Sequence, residues 1–400
     1  MKRKILFVDD DRNILDGFRT MLHSKRREWK CRFAESGEQG LELIDKEPFD
    51  VVIADMRMPG MDGADFLEVV SECQPGAIRI ILSGYSEMQV LLKSVKHAHQ
   101  FLSKPCGSDT IIETIRRVMA LGHILNDESI RKLVSRLSTL PVIPGLYVRI
   151  CRELEVPEPD LKRIGRMVEQ DAGMSTTLMK VVNSSFFGFY EKVSSPARAV
   201  TLLGIEAVKG LVLGVRLMQE INLSSTPGYS VEKLWRHTLQ TGYLAKEIAR
   251  LESADDALVE NCFIAGMLHD VGKLIFVTQM TDMYRPVLES VRRESGPIFA
   301  SEKELLGVTH AEVGAYLLGL WGFKPDVVNG VHAHHAPWRC PGELTPALVV
   351  HAANSLQHEI GFPESDFVFS PMYMDHLEQQ GIAHRLDSWR AACKEKMEHL

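Results

Sequence analysis

Five short apolar runs, each followed by a stretch of helical periodicity, leave residues 1–121 few folds to choose from. The runs are Lys4–Val8, Cys31–Ala34, Val51–Ala54, Arg79–Leu82 and Gln100–Leu102. Helical patterns follow at Arg12–His23, Gly37–Asp45, Ala64–Glu72, Glu87–Lys96 and Ser108–Leu121. Parallel strands need a helical crossover between them, and each spacing supplies one. The expectation is an α/β doubly wound, five-stranded parallel sheet with helices on both faces.

Beyond Leu121 the strand signals stop. Asn126 or Asp127 can cap a connecting helix within Gly122–Ser138, and Leu140-Pro141 and Pro144-Gly145 then punctuate the chain. Residues 139–360 read as all-helical, with apolar positions at helical spacing in Leu161–Val168, Met174–Val182, Val208–Met218, Val231–Ala249 and Ala257–Leu268. The tail, 361–400, begins irregular and ends in a polar helix from Asp387. A chain of 400 residues is too long for one core, so the expected order is an α/β domain (1–121), a connector (122–138), a helical domain (139–360) and the tail.

A net charge of −7 argues against a nucleic-acid or anionic-membrane surface. The first ten residues meet two aspartates before any apolar core of a signal peptide could form, and no run reaches spanning length. The expected location is cytoplasmic. The seven scattered cysteines then read as reduced thiols.

Ligands of an open α/β sheet bind beyond the carboxyl ends of its strands, where strand order reverses. The first strand ends in Asp9-Asp10, the third in Asp55, the fourth in Ser83 and the fifth in Lys104. Three converging carboxylates repel one another unless a cation sits among them, and hard oxygen ligands suit Mg²⁺. A carboxylate beside Mg²⁺ can attack a phosphoryl group. Ser83 can donate a hydrogen bond to that group and Lys104 can offer it a positive charge. Taken singly, these residues are caps and turn starters; all five at successive strand ends are not.

These residues stand in FVDDD, IADMRMPGMDG, ILSGYS and FLSKPC, and with them the stretch from Lys4 to about Met119 resembles the response-regulator receiver family. The resemblance implies a flavodoxin-like fold and a phosphoacceptor at Asp55. It implies Mg²⁺ held by Asp10, Asp55 and the backbone carbonyl of Arg57, with Asp9 assisting through water. It also implies phosphoryl sensing by Ser83 and Lys104, a cis peptide before Pro105, and a histidine kinase as partner. The family's switch aromatic falls on Phe101, which lacks a hydroxyl and can equally be strand core.

The helical half is rich in histidine: His237, His269, His310, His332, His334, His335 and His351. With an adjacent Asp270, this set suits a borderline divalent metal, and equally a hydrogen-bonded core. LPVIPGL, VEQDAGMSTTLMKVVNSSFFG and GMLHDVGKL resemble the HDOD domain, a relative of the HD phosphohydrolases used mostly as a signalling output module. The HD-like part covers about 231–357, with His237, His269, Asp270, His310, His334 and His335 as a vestigial metal site. Where the HD pattern has its last Asp, Asn354 stands, and Lys233 stands where the cyclic-dinucleotide branch has an acidic ligand. The expectation is a response regulator whose HDOD domain is largely non-catalytic and acts on a protein partner, which can include a second copy of the chain. At most one divalent ion (Fe, Mn or Zn) is expected there. The alternative is a receiver-controlled, metal-dependent phosphohydrolase acting on a nucleotide or cyclic dinucleotide.

Overall fold

The computed structural model describes residues 2–83, 98, 100–104, 107–120, 160–171, 193–219, 230–294, 296–340, 342–360 and 371–398, with scattered positions between 124 and 183. The predicted helix Glu87–Lys96, most of the connector 122–138 and the Pro105 peptide lie outside the described residues. The chain forms two compact units, the first within Met1–Gly145 and the second made of Leu146–Leu318 and Phe323–Leu400.

In the first unit β1 (Arg3–Val8), β2 (Trp29–Ala34), β3 (Val51–Asp55), β4 (Ile78–Ser83) and β5 (Gln100–Ser103) form one sheet in the order β2-β1-β3-β4-β5. All four pairings are parallel. The described helices are α1 (Arg12–Leu22), α2 (Gly37–Lys46), α3 (Gly63–Cys73) and α4 (Ser108–Ala120). Every residue of the central strand β3 is buried, which is why its sequence is apolar up to Asp55 rather than alternating. Strand order reverses between β1 and β3, and Val8 pairs there with Ala54. Local chemistry fixes the helix starts. Asp11, Ser36 and Asp62 each cap the following helix by accepting a backbone N–H. Gly63 is required by space, since a Cβ there would stand 2.1 Å from the carbonyl oxygen of Asp55.

The described part of the second unit is helical. It contains α5 (Leu161–Glu169), α6 (Pro196–Leu203), α7 (Ile205–Gln219), α8 (Val231–Glu252), α9 (Asp256–Leu268), α10 (Val271–Gln279), α11 (Thr281–Glu294), α12 (Ile298–Leu306) and α13 (His310–Leu320). It continues with α14 (Pro325–Ala333), α15 (Pro346–Ile360), α16 (Met374–Gln379) and α17 (Leu386–Glu398). Helix α9 is apolar all round and buried from Asn261 to Leu268, packed by α8, α14 and α15. The predicted tail helix is α17. Its Trp389 Nε1–H donates to Glu252 Oε1 at 2.6 Å and Arg385 pairs with Glu252 Oε2 at 2.9 Å, tying the tail to α8. No described helix is long and apolar enough to cross a membrane. Of the cysteines, Cys31, Cys73, Cys262, Cys340 and Cys393 are free thiols.

Candidate functional site

At the sheet's reversal point the chain leaves β1 through Asp9 and Asp10, while β3 ends on Asp55. Oxygen atoms of all three carboxylates lie within 4.8 Å of one another. Asp9 and Asp55 are buried and Asp10 is exposed. Lys104, just past β5, places its Nζ 2.7 Å from Asp9 Oδ2 and 2.5 Å from Asp55 Oδ1. Asp11, third in the acidic run, caps α1 instead, so the run divides between site and helix start. Burial raises the Asp55 pKa, and Asp9 adds to this against the pull of Lys104. Burial works against the Lys104 ammonium, but its bonds to Asp55 and Asp9 outweigh that and raise its pKa.

Three carboxylates against one ammonium leave the pocket net negative, and an all-oxygen donor set fits a hard cation such as Mg²⁺. The N–H of Arg57 donates to Asp55 Oδ2 at 3.2 Å, placing this residue on the same turn. Ser83 and Phe101 lie in strands β4 and β5, paired with Ser103 and Ile81, and their side chains lie outside the described residues.

The second unit gathers six of the predicted residues into two adjacent donor sets. His237, His269 and Asp270 form one, and His310, His334 and His335 the other. His237 comes from α8, His269-Asp270 from the α9–α10 turn, His310 from the first turn of α13, and His334-His335 from the end of α14. A Cβ on Gly272 would stand 2.0 Å from the His310 carbonyl oxygen, so the glycine of HDVGK lets α13 approach Asp270. Asp270 joins the sets. Its Oδ1 is 3.4 Å from His269 Nε2 and 3.2 Å from His310 Nε2, and its Oδ2 is 3.6 Å from His237 Nε2.

Tautomers follow from the outer partners, because an oxygen acceptor requires a proton on the nitrogen facing it. His269 Nδ1 donates to Gly266 O at 2.7 Å, His334 Nδ1 to Val331 O at 2.7 Å, and His310 Nδ1 to Glu302 Oε2 at 2.6 Å. His237 Nδ1 donates to Gln357 Oε1 at 2.9 Å. His237, His269 and His334 therefore turn a bare Nε2 inward; burial works against the His310 imidazolium, but Glu302 and Asp270 outweigh it and raise its pKa. His237 and His269 face each other Nε2 to Nε2 at 3.2 Å, and His310 and His335 at 3.1 Å. His334 Nε2 and His335 Nδ1 are buried with no hydrogen-bond partner. Orphaned, converging imidazole lone pairs around a carboxylate are what a divalent cation requires, so the donor set fits one. Burial pushes the pKa of His237 down to about 3 and of His269 to about 4, and holds His334 and His335 well below the imidazole range.

Sequence reasoning missed four neighbours. Lys273 is buried and places Nζ 2.7 Å from Asp270 Oδ2. Glu302 and Gln357 stand behind His310 and His237. The His358 ring stacks on His237 with centroids 4.9 Å apart. Only Lys273 carried a local signal, being one helical turn past the His-Asp pair. Lys233, expected to oppose a second ion, is exposed at the start of α8, whereas Lys273 is buried beside Asp270. Asn354 is buried on α15. His332 and His351 belong to neither donor set.

His351 instead works behind the cluster. Its Nδ1 donates to His334 O at 2.9 Å and its Nε2 accepts the Tyr373 N–H at 3.2 Å. Burial lowers its pKa to about 4. Protonation would set two donors against each other at Nε2. The folded value lies below the unfolded one, so this stability is complete above the unfolded imidazole pKa of about 6.5 and is lost as pH falls from there towards 4. Thermal unfolding at pH 7 and 5 should show a loss of about 2 kcal/mol from this residue, and His351→Gln should have a flatter profile. An unchanged slope in His351→Gln would contradict the assignment.

Compared with known families, residues 5–116 match the response regulator receiver domain and residues 140–337 match the HDOD domain. Among curated proteins, an uncharacterized protein of Treponema pallidum (strain Nichols) is 27% identical over 242 residues, 59% of this chain and 46% of that one. The hydrogenase transcriptional regulatory protein HoxA of Cupriavidus necator is 31% identical over 141 residues, 35% of this chain and 28% of that one. The chain thus spans less than half the length of these relatives. An HDOD domain protein from Geobacter sulfurreducens, solved by crystallography, is 23% identical, with a TM-score of 0.52, covering 67% of this chain and 97% of that one. It shares the helical fold.

Proposed function

We propose that this chain, a response regulator joining a receiver domain to an HDOD domain, takes a phosphoryl group on Asp55 from a histidine kinase in the cytoplasm. The HDOD domain then acts on a protein partner without turning over a substrate. The observation that carries the receiver assignment is the convergence of Asp9, Asp10 and Asp55 with Lys104 at the β1–β3 reversal. Mg²⁺, which receiver domains hold generally, would be bound by Asp10, Asp55 and the Arg57 carbonyl, with Asp9 through water. It would offset charge on the transferred phosphoryl oxygens. The chain's own residues orient the nucleophile: Arg57 N–H fixes one Asp55 oxygen, and Lys104 holds the other until a phosphoryl group displaces it.

Lys104 therefore acts after transfer and Asp10 before it. Lys104→Ala should retain most labelling by acetyl phosphate yet lose the phosphorylation-dependent change in the HDOD domain's hydrogen exchange. Asp10→Ala should lose labelling itself. Equal and complete loss of labelling in both variants would contradict this division.

For the second unit we propose at most one divalent ion (Fe, Mn or Zn) in the histidine cluster. Three observations support a non-catalytic role. Asn354 stands where the HD pattern has a carboxylate, and an amide is a weak ligand. Lys273 already neutralises Asp270. His269, His310 and His334 have no exposed surface, which places these rings out of direct contact with a nucleotide-sized substrate in this conformation. The pair of donor sets flanking Asp270 is what favours the phosphohydrolase reading. Metal content and phosphodiesterase activity of the full chain loaded with Mn²⁺, Fe²⁺ or Zn²⁺ decide between them. Metal-dependent hydrolysis abolished by Asp270→Ala would make the chain a regulated enzyme.

A further inference from the structure

The two donor sets are not equivalent, and what surrounds them ranks them. Asp270 turns Oδ2 to His237, while Oδ1 lies between His310 at 3.2 Å and His269 at 3.4 Å. Its Oδ2 faces His237 at 3.6 Å but already accepts the Lys273 ammonium at 2.7 Å. A cation held by His237 and Oδ2 would meet that ammonium across a single carboxylate oxygen, in a site with almost no water. Among the described residues the outer hydrogen-bond partner of His237 is Gln357 Oε1, a neutral amide whose Nε2–H is committed to Gln240 Oε1 at 2.8 Å.

The Oδ1 side is built the opposite way. His310 stands 3.2 Å from Oδ1 with its Nδ1 held by a carboxylate, Glu302, at 2.6 Å. Glu302 is itself fully buried, and all its partners are donors. Oε2 also accepts the His310 backbone N–H at 2.8 Å, and Oε1 accepts the Tyr284 hydroxyl at 2.8 Å. No other ring of the cluster has a carboxylate behind it among the described residues. A carboxylate on Nδ1–H fixes the tautomer and makes the opposite nitrogen a stronger donor. On the same side His334 Nε2, with no exposed surface, is aimed inward without a partner.

We propose that the cation site of this domain is His310, His334 and His335 beside Asp270 Oδ1, and that Glu302 is its positioning residue. The His237 side is closed to a second cation by Lys273. This rests on the reading that the cluster holds one divalent ion, and it says where. Glu302 acts through the ring of His310 and touches no ligand itself. Its sequence context, FASEKELL in α12, shows only a helical segment, so the role arises from packing α12 against the first turn of α13.

The test uses the full chain with Zn²⁺ as probe, in excess Mg²⁺ to keep the receiver carboxylates occupied. Competition with a chromophoric chelator gives affinity, and ¹⁵N-histidine NMR reports which ring nitrogens change. In the wild type, Zn²⁺ should move the Nε2 signals of His310 and His334 and leave the His237 tautomer unchanged. This needs no variant and so does not depend on a substituted chain folding. Glu302→Ala should weaken Zn²⁺ binding about 10–100-fold and let the His310 ring populate both tautomers. Glu302→Gln, which restores a hydrogen bond without the charge, should recover part of the affinity and most of the tautomer. His237→Ala should keep affinity within about threefold, as befits a group outside the ligand set. Zn²⁺ shifts centred on His237 and His269, or loss of affinity in His237→Ala with none in Glu302→Ala, would overturn the ranking while leaving the metal reading standing. A wild-type chain that binds no Zn²⁺ would overturn the metal reading and this site with it. A His310 tautomer that is mixed in the metal-free wild type would remove Glu302 alone.

Discussion

Asp55→Asn should reduce phosphoryl labelling by acetyl phosphate in Mg²⁺ to background while leaving the first unit folded. The loss should be complete because the substitution removes the nucleophile together with one oxygen donor of the metal set. Folding should survive because Lys104 keeps its second partner: Asp9 Oδ2 at 2.7 Å remains after Asp55 is gone. The repulsion between Asp9 and Asp55, one of the causes that raise the Asp55 pKa, disappears at the same time. A neutral amide at this position therefore relieves charge, and the thermal transition of the receiver should stay level or rise. Chelation of Mg²⁺ should reproduce the labelling defect in the wild type, since carboxylates this close cannot approach a phosphate dianion without a cation. Intact-mass measurement before and after the phosphodonor reads the outcome. A full phosphoryl increment on Asp55→Asn would place the acceptor elsewhere.

The receiver was legible because its chemistry sits where its topology ends. An apolar run that stops at a charged residue marks a strand terminus and puts an ionisable group at the edge of the sheet. Hence Asp9, Asp10, Asp55 and Lys104 could be placed from alternation alone, and the strand ends agree within two residues. The histidine cluster was legible only as residue types. His237, His269, Asp270, His310, His334 and His335 were named from motifs, but their division into two sets follows from the crossing of α9, α13 and α14, which no local pattern encodes. The supporting shell was not legible at all. Glu302 lies in an ordinary amphipathic helix, where a carboxylate reads as a surface one until the neighbouring helix is known, and Gln357 lies in a helix buried from Ala347 to Gln357, where nothing local singles it out. His351 shows the converse: it was read with the cluster, yet its lone pair is spent on the Tyr373 N–H.

Asp270→Ala should produce the largest loss of stability of any single change in the second unit, and the reason is the residue it abandons. Lys273 Nζ lies 2.7 Å from Asp270 Oδ2, and both side chains are buried. Burial alone would raise the Asp270 pKa, but His269, Lys273 and His310 hold it well below the ordinary range, so it is ionised at neutral pH. Removing one partner of a buried pair strands the other, at a cost of about 3–5 kcal/mol. For a unit of this size that is a fall in Tm of roughly 10 °C or more. Adding Lys273→Met removes the stranded ammonium while keeping its apolar stem. The double variant should therefore recover most of the loss, an outcome opposite to additivity. The pH must be chosen with the signs in view. Asp270, with a depressed folded pKa, keeps its contribution above the unfolded carboxylate range and loses it only in strong acid. His237, His269, His334 and His335, with depressed values, lose theirs as pH falls below about 6.5, whereas His310, with a raised one, loses its contribution as pH rises above that range. Thermal unfolding at pH 8 in the presence of a chelator isolates the pair from both. If Asp270→Ala and the double variant melt together, Lys273 is not stranded by the loss of Asp270. Lys273 is then not the resident cation of Oδ2 and does not limit the cluster to one divalent ion.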